Sequence, residues 1–370
     1  MTNKELQIPF FAKASIFLIG LIAFVAILYI AQSIIIPLVF ATIIAIVLHP
    51  VVNLLIRLKI NRLIAIGIVL FLTSLVLVAF FFLIFTQASQ FDESWPTLVD
   101  KFTVTLNNSI TSLSSYFDTN PQKIHDWITN TKEDFMDMSN EAIGQALLSV
   151  GLVIMVLFLI PVYVFLLLFY QPLIMEFIHQ LFSKDNQNQV KEIVFQIKKV
   201  IQHYLVGLVI EAIIVAILNT AVLLTLGIDY AILLGILGAL LNVIPYIGGI
   251  IAVALPMLVV LATKSSAWYL LYVLIGHYII QLIDNYYIIP YIVASKVKIN
   301  ALFSIVVVFV GNALWGISGM FLSIPLLAII KLIFDHLEPL KPWGFLLGDT
   351  MPPIIKISPI LKKIKEAALG

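Results

Sequence analysis

The residues of this chain that could do chemistry are the few polar ones set inside long apolar runs. Glu211 lies seven residues into the run from Tyr204 to Leu226, and Asn219 follows eight residues later on roughly the same side. In a later run His277, Gln281, Asp284 and Asn285 recur at i, i+4, i+7 and i+8, a spacing that places all four on one helix face. A charge at bilayer depth costs ~2.5 to 3.5 kcal/mol on insertion scales, so such groups must face protein or water. Two carboxyls and an imidazole in that setting could relay protons or hold a cation, with Glu211 and Asp284 as carriers and His277 as a titrating neighbour. The plainer alternative is hydrogen bonding between helices, at ~0.6 to 2 kcal/mol per bond. That alternative applies above all to Gln281 and Asn285. His203 falls near the edge of its run and reads as interfacial.

A second signal is a pair of interruptions. Asn242-Val243-Ile244-Pro245-Tyr246-Ile247-Gly248-Gly249 breaks the apolar run from Ala231 to Thr263. Pro245 donates no backbone hydrogen bond and crowds the carbonyl four residues back, while Gly248 and Gly249 take left-handed or extended conformations at little cost. Gly311-Asn312-Ala313-Leu314-Trp315-Gly316-Ile317-Ser318-Gly319 breaks the run from Ala301 to Phe334 in the same way. Backbone that leaves the helix at membrane depth survives only when protein buries it or it lines a wet cavity. Paired breaks of this kind mark a transporter's midplane site, where helix ends and freed carbonyls meet a substrate. Asn242, Tyr246, Asn312 and Ser318 would add side-chain contacts there. Small-residue packing accounts for the glycines but not for Pro245 among polar neighbours.

Enzyme motifs do not compete. Gly316-Ile317-Ser318-Gly319 matches the G-x-S-G of intramembrane serine proteases, but the only later histidine is His336, eighteen residues on. That is ~27 Å along a helix, far beyond hydrogen-bond reach. There is no H-E-x-x-H, P-loop or dinucleotide fingerprint, so no enzymatic activity, cofactor or metal is expected. Cysteine is absent, which removes disulfides and thiolate chemistry.

The elements that must hold these residues are helices in a membrane. Of 370 residues, 62% are hydrophobic and only 11% charged, with a mean hydropathy of +1.10. A soluble domain carries roughly a quarter charged residues, and ~20 apolar residues suffice to span a bilayer. The fold class is therefore an all-α polytopic helical membrane protein with six to eight transmembrane segments. A formal net charge of +1 argues against a nucleic-acid partner. Residues 1–86 hold three spans (Ala14 to Ile30, Ile34 to Ile56, Leu63 to Phe85), the first a retained helix rather than a cleaved signal. Arg57, Lys59 and Arg62 cluster between the second and third, which the positive-inside rule makes cytoplasmic. Residues 87–141 carry nine acidic residues against three lysines and read as an extracytoplasmic insert of two or three amphipathic helices. Residues 142–170 form a fourth span kinked at Pro161, and 171–202 an amphipathic cytoplasmic connector pair. Residues 203–337 form a transport core with the two broken runs and a span from Trp268 to Ile289, stopped by Pro290. Residues 338–370 are a lysine-bearing tail. The halves of both broken runs are short for full spans and suit re-entrant hairpins, giving six crossings with both termini cytoplasmic; paired full spans would give eight.

Leu226-Gly227-Ile228-Asp229-Tyr230-Ala231, Ile244 to Gly249, Asp284-Asn285 with Pro290, and Gly311 to Pro325 together resemble the autoinducer-2 exporter (AI-2E) family of bacterial membrane proteins. Pro37 and Leu48-His49-Pro50 fit the same pattern. The family pattern P-x-x-G-P is met here with Gly249 in place of the second proline. Members are described as exporters of the signal autoinducer-2 or as sodium(lithium)/proton antiporters. The resemblance implies a secondary transporter of the bacterial cytoplasmic (inner) membrane, moving a small solute or exchanging Na+ for H+, with the lipid bilayer and a homo-oligomer as partners. Two other readings remain open, an oligomeric passive pore lined by the polar face and a membrane scaffold that docks partners through the acidic insert.

Overall fold

The computed structural model describes residues 9–114, 158–182, 186–244, 248–264, 266, 268–293 and 299–349. Among them every regular element is helical. Pro245 and Tyr246, the rest of the acidic insert from residue 115, the first half of the fourth span and the tail from residue 350 lie outside the described residues.

Helix α1 (Phe10–Ile30) is apolar on all sides and buries none of its residues. Its 21 residues reach about 30 Å, the thickness of a bilayer core. Helix α2 (Gln32–Arg57) returns after a one-residue turn and contains Pro37 and Pro50. It packs on α3 (Arg62–Ser114) and α4 (Phe158–Phe169) through Ala41, Ala45, Val52, Ala65, Ile66, Val69, Val164 and Leu168. Alanine at the contact lets helices approach closely where no hydrophobic drive exists between helices in lipid.

Helix α3 departs from the expected boundary at residue 86. It runs unbroken through Pro96 to Ser114, so the first part of the insert continues the third span. Gly67 and Pro96 are its only helix-weakening residues, and the acidic residues after Gln87 change its solvent rather than its conformation. Phe91 stacks edge-on against Tyr230. After α4 the chain bends by 61° at Tyr170 into α5 (Gln171–Leu181).

Helix α6 (Gln187–Thr225) is the hub, touching α2, α5, α7, α9, the segment after α9, and α10. The expected connector and the fifth span are one 39-residue helix, because no proline and no glycine before Gly207 interrupts them. It ends at Gly227, whose φ of +62° is the left-handed conformation that closes many helices.

Helices α7 (Ala231–Asn242) and α8 (Gly248–Thr263) form a hairpin across the first break. Their lengths of about 18 and 24 Å are short of a full span. Gly248 stands so close to the Leu241 carbonyl that no Cβ would fit. Helix α9 (Trp268–Ile283) was expected to stay α-helical to a stop at Pro290; instead it widens into a π-helical segment, Asp284–Val293, that carries Pro290 within it.

Helix α10 (Ala301–His336) leaves helical geometry at Trp315 (φ −136°) and Gly316 (φ 60°). The Ser323 hydroxyl donates to the Val307 carbonyl at 2.9 Å. Sixteen residues along a straight helix would separate them by ~24 Å, so α10 is a second hairpin folded back on itself. Gly311 and Gly319 face each other where its arms cross. Helix α11 (Lys341–Leu347) packs against its base.

The two hairpins approach from opposite ends of α6. Lys264, just past α8, donates Nζ to the Gly227 carbonyl at the end of α6. Gln189, at the start of α6, donates to the His336 carbonyl at the base of α10.

Candidate functional site

One face of α6 carries Gly207, Glu211, Val215, Asn219 and Leu223, all buried and four residues apart. Below, Gly207 lets the Ile292 carbonyl of the π segment come within reach of where a Cβ would stand. Above, Asn219 abuts Gly238 of α7. Glu211 therefore sits between the hairpin and the π segment, with only 4% of its surface exposed.

From the other side the polar stripe of α9 meets the break. Asn242, the last residue of α7, donates Nδ2 to Asp284 Oδ2 at 2.8 Å. Gln281 donates Nε2 to Asn242 Oδ1 at 2.9 Å. The His277 ring nitrogen Nε2 lies 3.1 Å from the Gly249 carbonyl at the start of α8. Three of the four stripe residues thus bond groups on either side of the break, Gln281 and Asp284 through the Asn242 side chain and His277 at Gly249. Asp284 itself is 1% exposed, and its Oδ1 has no hydrogen-bond partner among the described residues. The π segment that begins at Asp284 packs against α6, which carries Glu211. A cavity of about 380 Å³ opens on this cluster, lined by Asn242, Ile244, Gly249, Gln281, Asp284, Asn285 and Ile289. Asn219 and His277 border a separate void of about 10 Å³ among apolar side chains, about the space of one water.

The structure brings Glu211, Asn242, Gly249, His277, Gln281 and Asp284 together, with Asn219 one turn further and Asn285, exposed, on the cavity wall. Gly248 serves the tight turn rather than the cavity. Pro245 and Tyr246 lie outside the described residues. Asn312 and Ser318 are placed elsewhere: α10 contacts α1, α2, α6 and α11, and Asn312 is exposed. Neither Asn312 nor Ser318 lines the cavity, although Trp315 of the second break shares a core cluster with Val243 and Ile289. His203 is exposed, with Nδ1 2.7 Å from the Lys199 carbonyl. Sequence reasoning missed Ile244 and Ile289 as cavity walls and the π turn at Asp284. It also missed Trp315, whose Nε1 donates to the Leu28 carbonyl of α1 at 3.0 Å. The indole beside Gly316 was legible; its distant partner was not.

Chemically, the site offers two buried carboxyls on packed elements, one with an unpartnered oxygen, beside the side-chain amides of Asn242 and Gln281. Buried carboxylates left unpaired are strongly disfavoured, so the pair calls for a proton or a cation.

Five helices among the described residues are long and apolar enough to cross a bilayer, or six if the bent α4–α5 pair is one span. With a polar, carboxyl-bearing cavity at a broken helix, this is a polytopic α-helical membrane protein of transporter type. The chain belongs to the AI-2E family of transporters, whose sequence profile matches residues 18–338. Similarity extends over most of the chain to the AI-2 transport protein TqsA of Escherichia coli (strain K12), 24% identical over 86% of this chain and 90% of that protein. A Haemophilus influenzae protein is 26% identical over 90% of this chain and 96% of its own length. YrrI of Bacillus subtilis (strain 168) is 30% identical, but the match spans 30% of this chain and 31% of YrrI.

Proposed function

We propose that this protein is a secondary transporter in which Glu211 and Asp284 exchange a proton for the transported species, a monovalent cation or a small polar solute such as an autoinducer-2-like signal. The observation that carries the reading is the buried, unpartnered Asp284 Oδ1, on a residue of the cavity wall whose segment packs against the helix that buries Glu211. Burial makes a proton and a cation mutually exclusive occupants of such a pair, and that exclusivity is what couples two fluxes. TqsA, by its name a transporter of AI-2, favours the solute; the paired carboxyls favour the cation.

The same reading sets orientation. With Arg57, Lys59 and Arg62 on the cytoplasmic side, both termini are cytoplasmic and the membrane is the bacterial inner one. The α7–α8 hairpin then enters from outside and α10 from inside, each re-entrant.

Proteoliposomes with imposed pH and sodium gradients test it. Wild-type protein should dissipate a pH gradient when sodium or the solute is added, while Asp284→Asn and Glu211→Gln should not. Exchange left intact in both variants would refute the relay. Flux without coupling would favour a pore, and no flux of any solute would favour a scaffold.

A further inference from the structure

Away from that cavity, a crevice of about 160 Å³ opens where α2, α4, α5 and α6 meet. Thr42, Ala45, Ile46, Leu167, Ile174 and Met175 contribute to its largely apolar wall. One cation, Lys198, lines it, and a second, Arg62, is bonded to two of its lining residues, Leu168 and Gln171. Lys198, half-buried on α6, places Nζ 3.5 Å from Met175 Sδ, a weak acceptor that leaves its ammonium donors largely unused. Arg62 donates Nη2 to the Leu168 carbonyl at 2.6 Å and to Gln171 Oε1 at 3.3 Å, holding the bend between α4 and α5. His49 lines the same crevice as Lys198. Among the described residues neither Lys198 nor Arg62 meets a carboxylate; the ion pairs are Lys331–Asp335 and Lys341–Glu338, both elsewhere.

The setting identifies what answers those charges. Helix α5 turns 61° away from α4 and exposes Leu173, Phe177 and Leu181, spaced four residues apart on one face. A short amphipathic helix with such a stripe lies along a membrane surface with its apolar side in the acyl boundary. The crevice under α5 thus combines basic groups at headgroup depth with an apolar slot beneath them. A free phosphate would satisfy the cations and leave the slot empty, whereas basic pockets between helices at a membrane surface suit anionic lipid headgroups.

We propose that this crevice binds an anionic phospholipid, its phosphate held by Lys198 and Arg62 and one acyl chain lodged between α2 and α5. The site is independent of the transport reading, since its lining and that of the Asp284 cavity share no residue.

The full-length protein in neutral detergent is titrated with phosphatidylglycerol, phosphatidylcholine and inorganic phosphate, reading bound lipid by native mass spectrometry and thermal stability in parallel. Phosphatidylglycerol should give a one-to-one adduct and raise the melting temperature, while the other two should do neither. Lys198→Ala should weaken phosphatidylglycerol binding about fivefold, what one surface cation contributes toward an anionic bilayer, and Lys198→Arg should retain it. Thr42→Trp, at an exposed position of the apolar wall, fills the slot without altering charge and should remove the adduct, and it decides the matter alone if Lys198→Ala does not fold. Equal response to phosphatidylcholine would overturn the proposal. So would an equal shift with inorganic phosphate, which would make this a soluble-anion site, or undiminished phosphatidylglycerol binding in both variants.

Discussion

Hairpins α7–α8 and α10 both interrupt long apolar runs with glycine and a bulky neighbour, and they approach α6 from opposite ends. They differ in where the hydrogen bonds around the break come from. In α10 the hairpin supplies them internally, beside the Gly311–Gly319 crossing, through the Ser323 hydroxyl, which reaches both the Val307 and Gly319 carbonyls. In α7–α8 the partners come from another helix, with His277 at the Gly249 carbonyl and Gln281 and Asp284 at Asn242. A break that is closed by its own chain is a rigid strut. One closed by side chains from a neighbouring helix can reopen when those side chains change charge.

Substitutions can break or sharpen that contrast. The largest effect should follow Gly319→Leu, whose side chain would meet the Gly311 carbonyl where the arms cross. Overpacking costs ~1 to 3 kcal/mol or more, and folded yield on size-exclusion chromatography should collapse. Asp284→Asn should leave folding intact, since Asn242 can still bond an amide oxygen, yet abolish gradient-driven exchange in proteoliposomes.

The sequence announced both breaks, because proline and paired glycines have few other uses in an apolar run, and it announced the stripe from His277 to Asn285 through helical spacing. It could not tell the two breaks apart. Gly311 and Gly319 look like loop residues until the arms fold together and show them as contact residues. Asn312, polar and adjacent, read as a ligand but is exposed and does not line the cavity. The merging of connector and span into α6, and of span and insert in α3, was hidden because a change in polarity resembles a boundary even where nothing stops the helix. The π turn leaves no mark in composition; its end lies where the Ile292 carbonyl comes against Gly207 of α6.

Smaller effects grade the same comparison. Asn242→Ala leaves Asp284 Oδ2 without its donor, at ~1 to 3 kcal/mol for a stranded buried group, and should lower both melting temperature and transport. Ser323→Ala removes a link within the self-closed hairpin, ~0.6 kcal/mol for an average bond between membrane helices, and should lower stability slightly with transport unchanged. Asn312→Ala, at an exposed position, should change neither. A transport defect in Asn312→Ala with no stability loss would return the second break to the site.

The most direct measurement is labelling with dicyclohexylcarbodiimide, which modifies protonated carboxyls in apolar surroundings, followed by mass spectrometry of the α6 and α9 peptides. The account predicts adducts at Glu211 or Asp284 that diminish as pH rises and when the exchanged cation is added. Absence of adducts at both residues at every pH, or labelling that ignores pH and cation alike, would contradict it.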